Sequence, residues 1–176
     1  MTGRVVVIGV GNPYRRDDGA GPAVVEALGG QVPEGTLLAV SDGEPGRMLG
    51  HWTGQDRVIV VETVHAHPGN PGRLHTLDAD ATARCASGPA SSHGLGLGET
   101  VALAVTLDRM PLELTVHAVE GEDFGLGPGL SAPVQAALPD LINRVAAAVQ
   151  LAHRRRPGPC GSSGGLSCPW PPPRWR

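Results

Sequence analysis

The chain has 176 residues, a formal net charge of −3 and 40% hydrophobic residues, with aromatics at only 3%. That length fits one domain with an aliphatic core, and the mild acidity excludes the broad basic face that a general nucleic-acid binder needs. No run reaches the ~18 apolar residues of a membrane-spanning helix, so no membrane insertion is expected.

The first element is "RVVVIGV", residues 4–10, a near-continuous apolar run that reads as a strand buried on both faces. A glycine loop follows, "GNPYRRDDGAG". The spacing then predicts a helix over 22–28, with Val24, Val25 and Leu28 on one side, Pro22 in its first turn and Gly29-Gly30 at its end. Residues 36–41, "TLLAVS", form a second strand, "DGEPG" a loop, and "RMLGHW" a short helix. The third strand, residues 56–64, is again apolar nearly throughout. "GRLHTL", residues 72–77, alternates and is expected at a sheet edge. A helix is predicted over 95–110, with Leu97, Val101, Ala104 and Val105 on one side, and a fifth strand over 112–119. The last helix is the most regular. Ser131 suits its N-cap, Pro133 its first turn, and Val134, Leu138, Leu141, Val145, Ala148 and Ala152 its buried stripe. From residue 157 on, "PGPCGSSGGLSCPWPPPRWR" has no periodicity and reads as a disordered Pro/Gly/Ser-rich tail, leaving 1–156 as the domain.

Strands alternating with helices predict an α/β sandwich around a mostly parallel sheet, with the working site at the carboxyl ends of the strands. That rule selects the loops at 11–21, 41–46 and 62–67. Cys85, Cys160 and Cys168 have no disulfide or zinc spacing, and the opening "MTGRVVVIGVGN" lacks the pattern of a secretory signal. Together they place the chain, as an expectation, in a reducing cytoplasm.

The first loop does not suit a nucleotide. Gly9 and Gly11 lack a third glycine, and Asp17 and Asp18 stand where a phosphate would bind. One aspartate there is a common helix cap, whereas two point to a cation. Glu62 ends a buried strand, where a carboxylate needs an ion pair (Arg15 or Arg16), a hydrogen bond or a metal. His93, in "SSHGLG", precedes the predicted helix at 95. Asp18, Glu62 and His93 together make a mixed nitrogen–oxygen set suited to a divalent first-row metal. Open positions would favour exchange over permanent binding. His65 and His67 form a rival pair that reads more simply as surface histidine. No Ser or Cys nucleophile has supporting context.

"IGVGNPYRRDDGAGP", "DGEPG", "VVET", "SSHGLGLGETVALA" and "GLGPGLSAPVQAAL" together resemble, in order and spacing, the segments of the hydrogenase maturation proteases. The resemblance covers residues 4–152 and implies a three-layer α/β sandwich with a twisted five-stranded sheet between helices. It implies an endopeptidase, aspartic-type by family classification, that removes the C-terminal peptide of a nickel-iron hydrogenase large-subunit precursor after nickel insertion. Nickel would then be carried by the substrate, with no tightly bound metal in the isolated protein. The family's metal-contacting acid, acid and histidine fall on Asp18, Glu62 and His93, and its loop aspartate on Asp42, which also stands as a candidate general base. Glu62 occupies a position where the family usually has Asp. A non-cutting nickel sensor or chaperone for hydrogenase maturation is the alternative reading.

Overall fold

A computed structural model of the chain describes residues 3–78 and 95–155. The elements run β1 (Val5–Val10), a 3₁₀ turn (Arg16–Gly19), α1 (Ala20–Leu28), β2 (Thr36–Ser41), α2 (Pro45–Leu49), β3 (Arg57–Val64), β4 (Leu74–Asp78), α3 (Leu95–Thr106), β5 (Glu113–Glu120) and α4 (Ala132–Arg154). The five strands form one sheet in the order β2-β1-β3-β5-β4. All neighbours pair in parallel except β4, which runs antiparallel to β5 at the edge, where the alternating sequence placed it.

β1 shows why the sheet is covered on both faces. Val5 and Val7 enter one core with α1 and α4, around Val24, Leu28, Ile59, Val61, Leu141 and Val145. Val6, Ile8 and Val10 enter the other with α2 and α3, around Met48, Trp52, Val60, Val101 and Val116. Successive side chains of a strand point to opposite faces, so a strand covered on both must be apolar at every position. The three-layer α/β sandwich expected from the sequence is the fold observed.

Two boundary shifts have a clear local reason. α2 begins at Pro45 because the Glu44 carboxylate accepts from the N–H groups of Gly46 (2.9 Å) and Arg47 (2.8 Å). α3 ends at Thr106, not at 110: Asp108 turns to φ 52°, and the Arg109 N–H returns to the Ala104 carbonyl at 2.8 Å. Arg109 then ties this corner to α2, donating to the Leu49 carbonyl (2.9 Å) while its own carbonyl accepts from Trp52 Nε1 (3.0 Å). In α4, Val134, Leu141, Val145, Val149 and Ala152 are the buried residues. Leu138 and Ala148, expected among them, are only partly buried. Pro133 stands in the first turn, as its missing N–H favours, and Pro139 lies inside the helix. No described helix is long and apolar enough to cross a membrane. The tail expected from residue 157 lies outside the described residues, as do all three cysteines.

At the amino end of the sheet, buried Asp56 holds the start of β1 beside β3. Its Oδ1 accepts from Arg4 N (2.7 Å), and its Oδ2 from Arg4 Nη2 (2.9 Å), Thr53 N (2.8 Å) and Thr53 Oγ1 (3.1 Å). Burial alone would raise its pKa, but the Arg4 and Thr53 donors prevail and lower it from 3.8 to about 2. Asp56→Ala should destabilise the fold by about 2–4 kcal/mol. The stabilisation by Asp56 is present above its unfolded pKa and lost as pH falls toward 2. Chemical denaturation from pH 3 to 7 should therefore show the wild-type advantage over the variant shrinking with acidification.

Candidate active site

The chain passes from β1 outward to β2, then crosses back to β3 on the other side of β1. The carboxyl ends of β1 and β3 therefore flank the topological switch point, where open α/β sheets place their ligands. Two glycines close this end. Gly21 lets α1 start against both strands, since a Cβ there would lie 2.4 Å from the Val10 carbonyl oxygen and 2.7 Å from that of Val61. Gly11, at φ +132°, folds the loop back so tightly that a Cβ would lie 1.9 Å from the Asp18 carbonyl oxygen. The Gly11 N–H also donates to the Ser41 carbonyl (2.9 Å), which brings the loops after β1 and β2 side by side.

Asp17 and Asp18 part company at once. Neither caps α1, whose N-cap is Gly19 with no side-chain bond. Asp18, half-buried, accepts at Oδ2 from the Asn12 N–H (2.9 Å) and stays at the mouth of the loop. Asp17 is fully buried. Its Oδ2 accepts from Glu122 N (2.8 Å), Asp123 N (2.9 Å) and Ser131 Oγ (2.8 Å), and its Oδ1 from Ser131 N (2.6 Å). Its backbone carbonyl accepts from Thr63 Oγ1 at 2.6 Å. Burial by itself would raise the Asp17 pKa, but the donors from Asp123, Ser131 and Glu122 outweigh it and hold the carboxyl below the ordinary value. Ser131 does precede α4, but its hydroxyl turns to this buried carboxylate instead of capping the helix. A charged acceptor competes for the hydroxyl better than a neutral N–H does.

Glu62 lies one residue before Thr63 on β3 and is 7% exposed. The ion pair with Arg15 or Arg16 considered from the sequence is not made. Arg16 lies 3.6 Å from Asp123, and Arg15 donates to the Phe124 carbonyl at 3.4 Å. Burial first, and then the charge of Asp18, push the Glu62 pKa from 4.5 up to about 8. The charge of Asp18 thus reaches Glu62, so the first two predicted ligands interact electrostatically. Near neutral pH Glu62 holds a proton, and an arriving cation would displace it, because metal binding requires a deprotonated ligand. Two neighbouring carboxyls without a described counter-cation are a donor set that fits a hard or borderline divalent ion.

Asp42 sits on the loop after β2 and is largely exposed. Its carboxylate accepts from Arg47 Nη2 (2.5 Å), Arg47 Nε (3.1 Å) and Glu44 N (3.2 Å). The Arg47 hydrogen bond leads in holding its pKa below the ordinary carboxylate range. A carboxylate so held is a weak base until Arg47 is drawn away. Val40, Ser41, Asp42, Arg47, Gly50 and His51 line an open hollow of about 480 Å³ beside it. Of the rival histidines, both exposed, His65 packs its ring against Phe124 with centroids 5.4 Å apart. His93 lies outside the described residues, and among the described residues no cluster of three metal-ligating side chains forms.

The sequence reading missed Asp17 as an anchor and Arg47 as the partner of Asp42. The acidic pair did not show which member faces inward, since the donors to Asp17 come from residues more than a hundred positions along the chain.

Asp17→Asn should lower stability by on the order of 3 kcal/mol, because the amide nitrogen would confront N–H donors where an oxygen now accepts. Thermal unfolding at pH 7 measures this. Glu62→Gln should act in the opposite sense and with pH. The raised pKa of Glu62 gives stability that is fully present below about pH 4.5 and lost as pH rises through about 8. Relative to wild type, the glutamine variant should therefore gain roughly 5 °C or more in melting temperature between pH 5 and pH 8.5.

The profile of the hydrogenase maturation protease family (HycI) matches residues 22–148. The chain is 26% identical over 149 residues to the Hydrogenase 2 maturation protease of Escherichia coli (strain K12), covering 84% of this chain and 91% of that one. It is 28% identical over 145 residues to the hydrogenase expression/formation protein HupD of Rhizobium leguminosarum bv. viciae, covering 79% and 70%. The solved structure of the hydrogenase maturating endopeptidase HybD from E. coli superposes with a TM-score of 0.72 at 26% identity, covering 84% of this chain and 93% of that chain. The family profile, the similarity across most of the chain and the shared fold all agree: this chain belongs to the hydrogenase maturation protease family.

Proposed function

We propose that this chain is the endopeptidase that removes the C-terminal peptide of a nickel-iron hydrogenase large-subunit precursor once nickel has been inserted. Membership of a protease family favours cutting over a non-cutting nickel sensor or chaperone. The observation that carries the nickel-dependent part is the carboxyl pair at the switch point. Glu62 is buried, lies within the field of Asp18 and is held protonated near neutrality. Such a pair is poised for a cation that arrives with the substrate.

In this reading Asp18, Glu62 and His93 contact the nickel carried by the precursor. Glu62 gives up its proton as the ion arrives, and the contacts bring the adjoining peptide bond to the loops after β1 and β2. Nickel near the scissile carbonyl supplies Lewis-acid polarisation. Asp42 is the carboxylate available to accept a proton from the attacking water. Its basicity returns when the incoming polypeptide engages Arg47, its present partner. The aspartic-type class enters the same reading through the carboxyls of Asp18 and Glu62, which interact electrostatically.

Intact mass of a nickel-loaded precursor, before and after incubation, tests this directly. The expected result is loss of a C-terminal peptide from that sample and none from a nickel-free precursor run beside it. Asp18→Ala and His93→Ala should each slow processing by about 100-fold or more. Wild-type rates in both variants would remove the site assignment, and an uncut nickel-loaded precursor that another protease of the family does cut would remove the activity.

A further inference from the structure

Aromatic residues are scarce in this chain, and its one tyrosine is not in the core. Tyr14 is 72% exposed on the loop after β1, and Leu126, 86% exposed, stands on the loop after β5. These are the two most exposed large apolar side chains among the described residues. The others, such as Leu107, Leu112 and Leu151, are about half exposed and scattered singly, as on any protein surface.

The two loops are fastened to each other. The Gly127 N–H donates to the Tyr14 carbonyl (2.8 Å), and the Arg16 N–H to the Gly127 carbonyl (2.9 Å). This is a short parallel bridge centred on Arg15 and Gly127. The Tyr14 N–H is held by Asn12 Oδ1 at 2.9 Å. Arg16 sits at φ 49°, a left-handed conformation that a bulky residue adopts only when its surroundings impose it. Tyr14 and Leu126 are therefore presented on a braced support, with little backbone freedom left to lose on binding.

We propose that Tyr14 and Leu126 form a docking ridge for the protein substrate, receiving an apolar side chain of the extended segment beside the scissile bond. The inference rests on the endopeptidase reading above and names where the substrate polypeptide lies. Its position commits the occupant. Tyr14 and Asp18 are four residues apart, so their Cα atoms are separated by at most about 14 Å, the length of four extended residues. A polypeptide held at Asp18 reaches Tyr14 within that span. Tyrosine is among the residues that contribute most when an interface closes over them. Leu126 has no reactive group and Tyr14 is assigned only an apolar contact through its ring, so the ridge acts on binding.

The test uses the full chain and the nickel-loaded precursor, with Tyr14→Ser, Leu126→Ser and the double variant. Cleavage kinetics are followed by intact mass, and equilibrium affinity is measured on immobilised precursor. The double variant should raise KM and Kd by about tenfold or more while kcat stays within about twofold. Leu112→Ser, at the opposite end of the sheet, should leave KM and Kd unchanged. KM and Kd within about twofold of wild type in the double variant would overturn the ridge. A wild-type chain that binds but does not cut would remove the activity alone, and the ridge would then be judged on Kd. A wild-type chain that does not bind the precursor overturns both. If the double variant instead changes elution on size exclusion, the ridge joins copies of this chain, and the substrate assignment is wrong.

Discussion

The buried carboxylate of Asp17 is the constraint on which the site end of the molecule depends. It accepts four hydrogen bonds from Glu122, Asp123 and Ser131, and its own carbonyl holds Thr63. One residue thus joins the loop after β1, the end of β3 and the whole connection from β5 to α4. Each of those segments carries a residue that the functional reading uses: Asp18 follows Asp17, Glu62 precedes Thr63, and Leu126 lies between Asp123 and Ser131. A buried charge is tolerated only where its acceptor capacity is filled, and here it is filled mostly by backbone N–H groups that have no other partner at loop turns. The anchor fixes the loops without using up either of the carboxyls that face the mouth.

Glu62, next to the Thr63 that bonds the Asp17 carbonyl, has the opposite electrostatics. Asp17 is kept ionised by donors, whereas Glu62 is kept protonated by burial and by the charge of Asp18. Asp17 has hydrogen-bond donors that outweigh its burial, whereas at Glu62 the charge of Asp18 adds to the effect of burial. Arginine 15 and arginine 16 could have neutralised the site, but the bridge to Gly127 turns them toward the β5 loop. Among the described residues, no cation answers the carboxyls at the switch point of the sheet. In the proposed function, a cation that arrives on the substrate would answer them.

Much of the fold was legible because burial on both faces leaves a simple trace. β1 and β3 are apolar at nearly every position, the edge strand alternates, and α4 repeats at helical spacing. The helix limits were less legible, since Glu44 capping α2 and the left-handed Asp108 are local choices outside the usual signals. The places of Asp18 and Asp42 on the loops after β1 and β2, and of Glu62 near the end of β3, followed from the strand pattern. The role of Asp17 did not, because its partners lie more than a hundred residues along the chain. The protonation of Glu62 was hidden for a related reason: the sequence puts a carboxylate after an apolar strand but does not say where the nearby arginines turn. The pairing of Asp42 with Arg47 spans five residues across a loop and a capped helix start, and becomes visible only once that cap is in place.

These features divide the labour of the site between fixed and responsive parts. The fixed parts are the Asp17 anchor, the Gly11 fold-back and the Arg15–Gly127 bridge, each closed by hydrogen bonds within the chain. The responsive parts are Glu62, which can lose a proton, and Asp42, whose basicity is suppressed by one exposed partner. Both are less reactive in the free protein than they would be beside a substrate that brings a cation and engages Arg47. Under the proposed function, a protease built this way would be restrained until the precursor supplies the cation. That is a physical reason for a processing enzyme to act after metal insertion and not before.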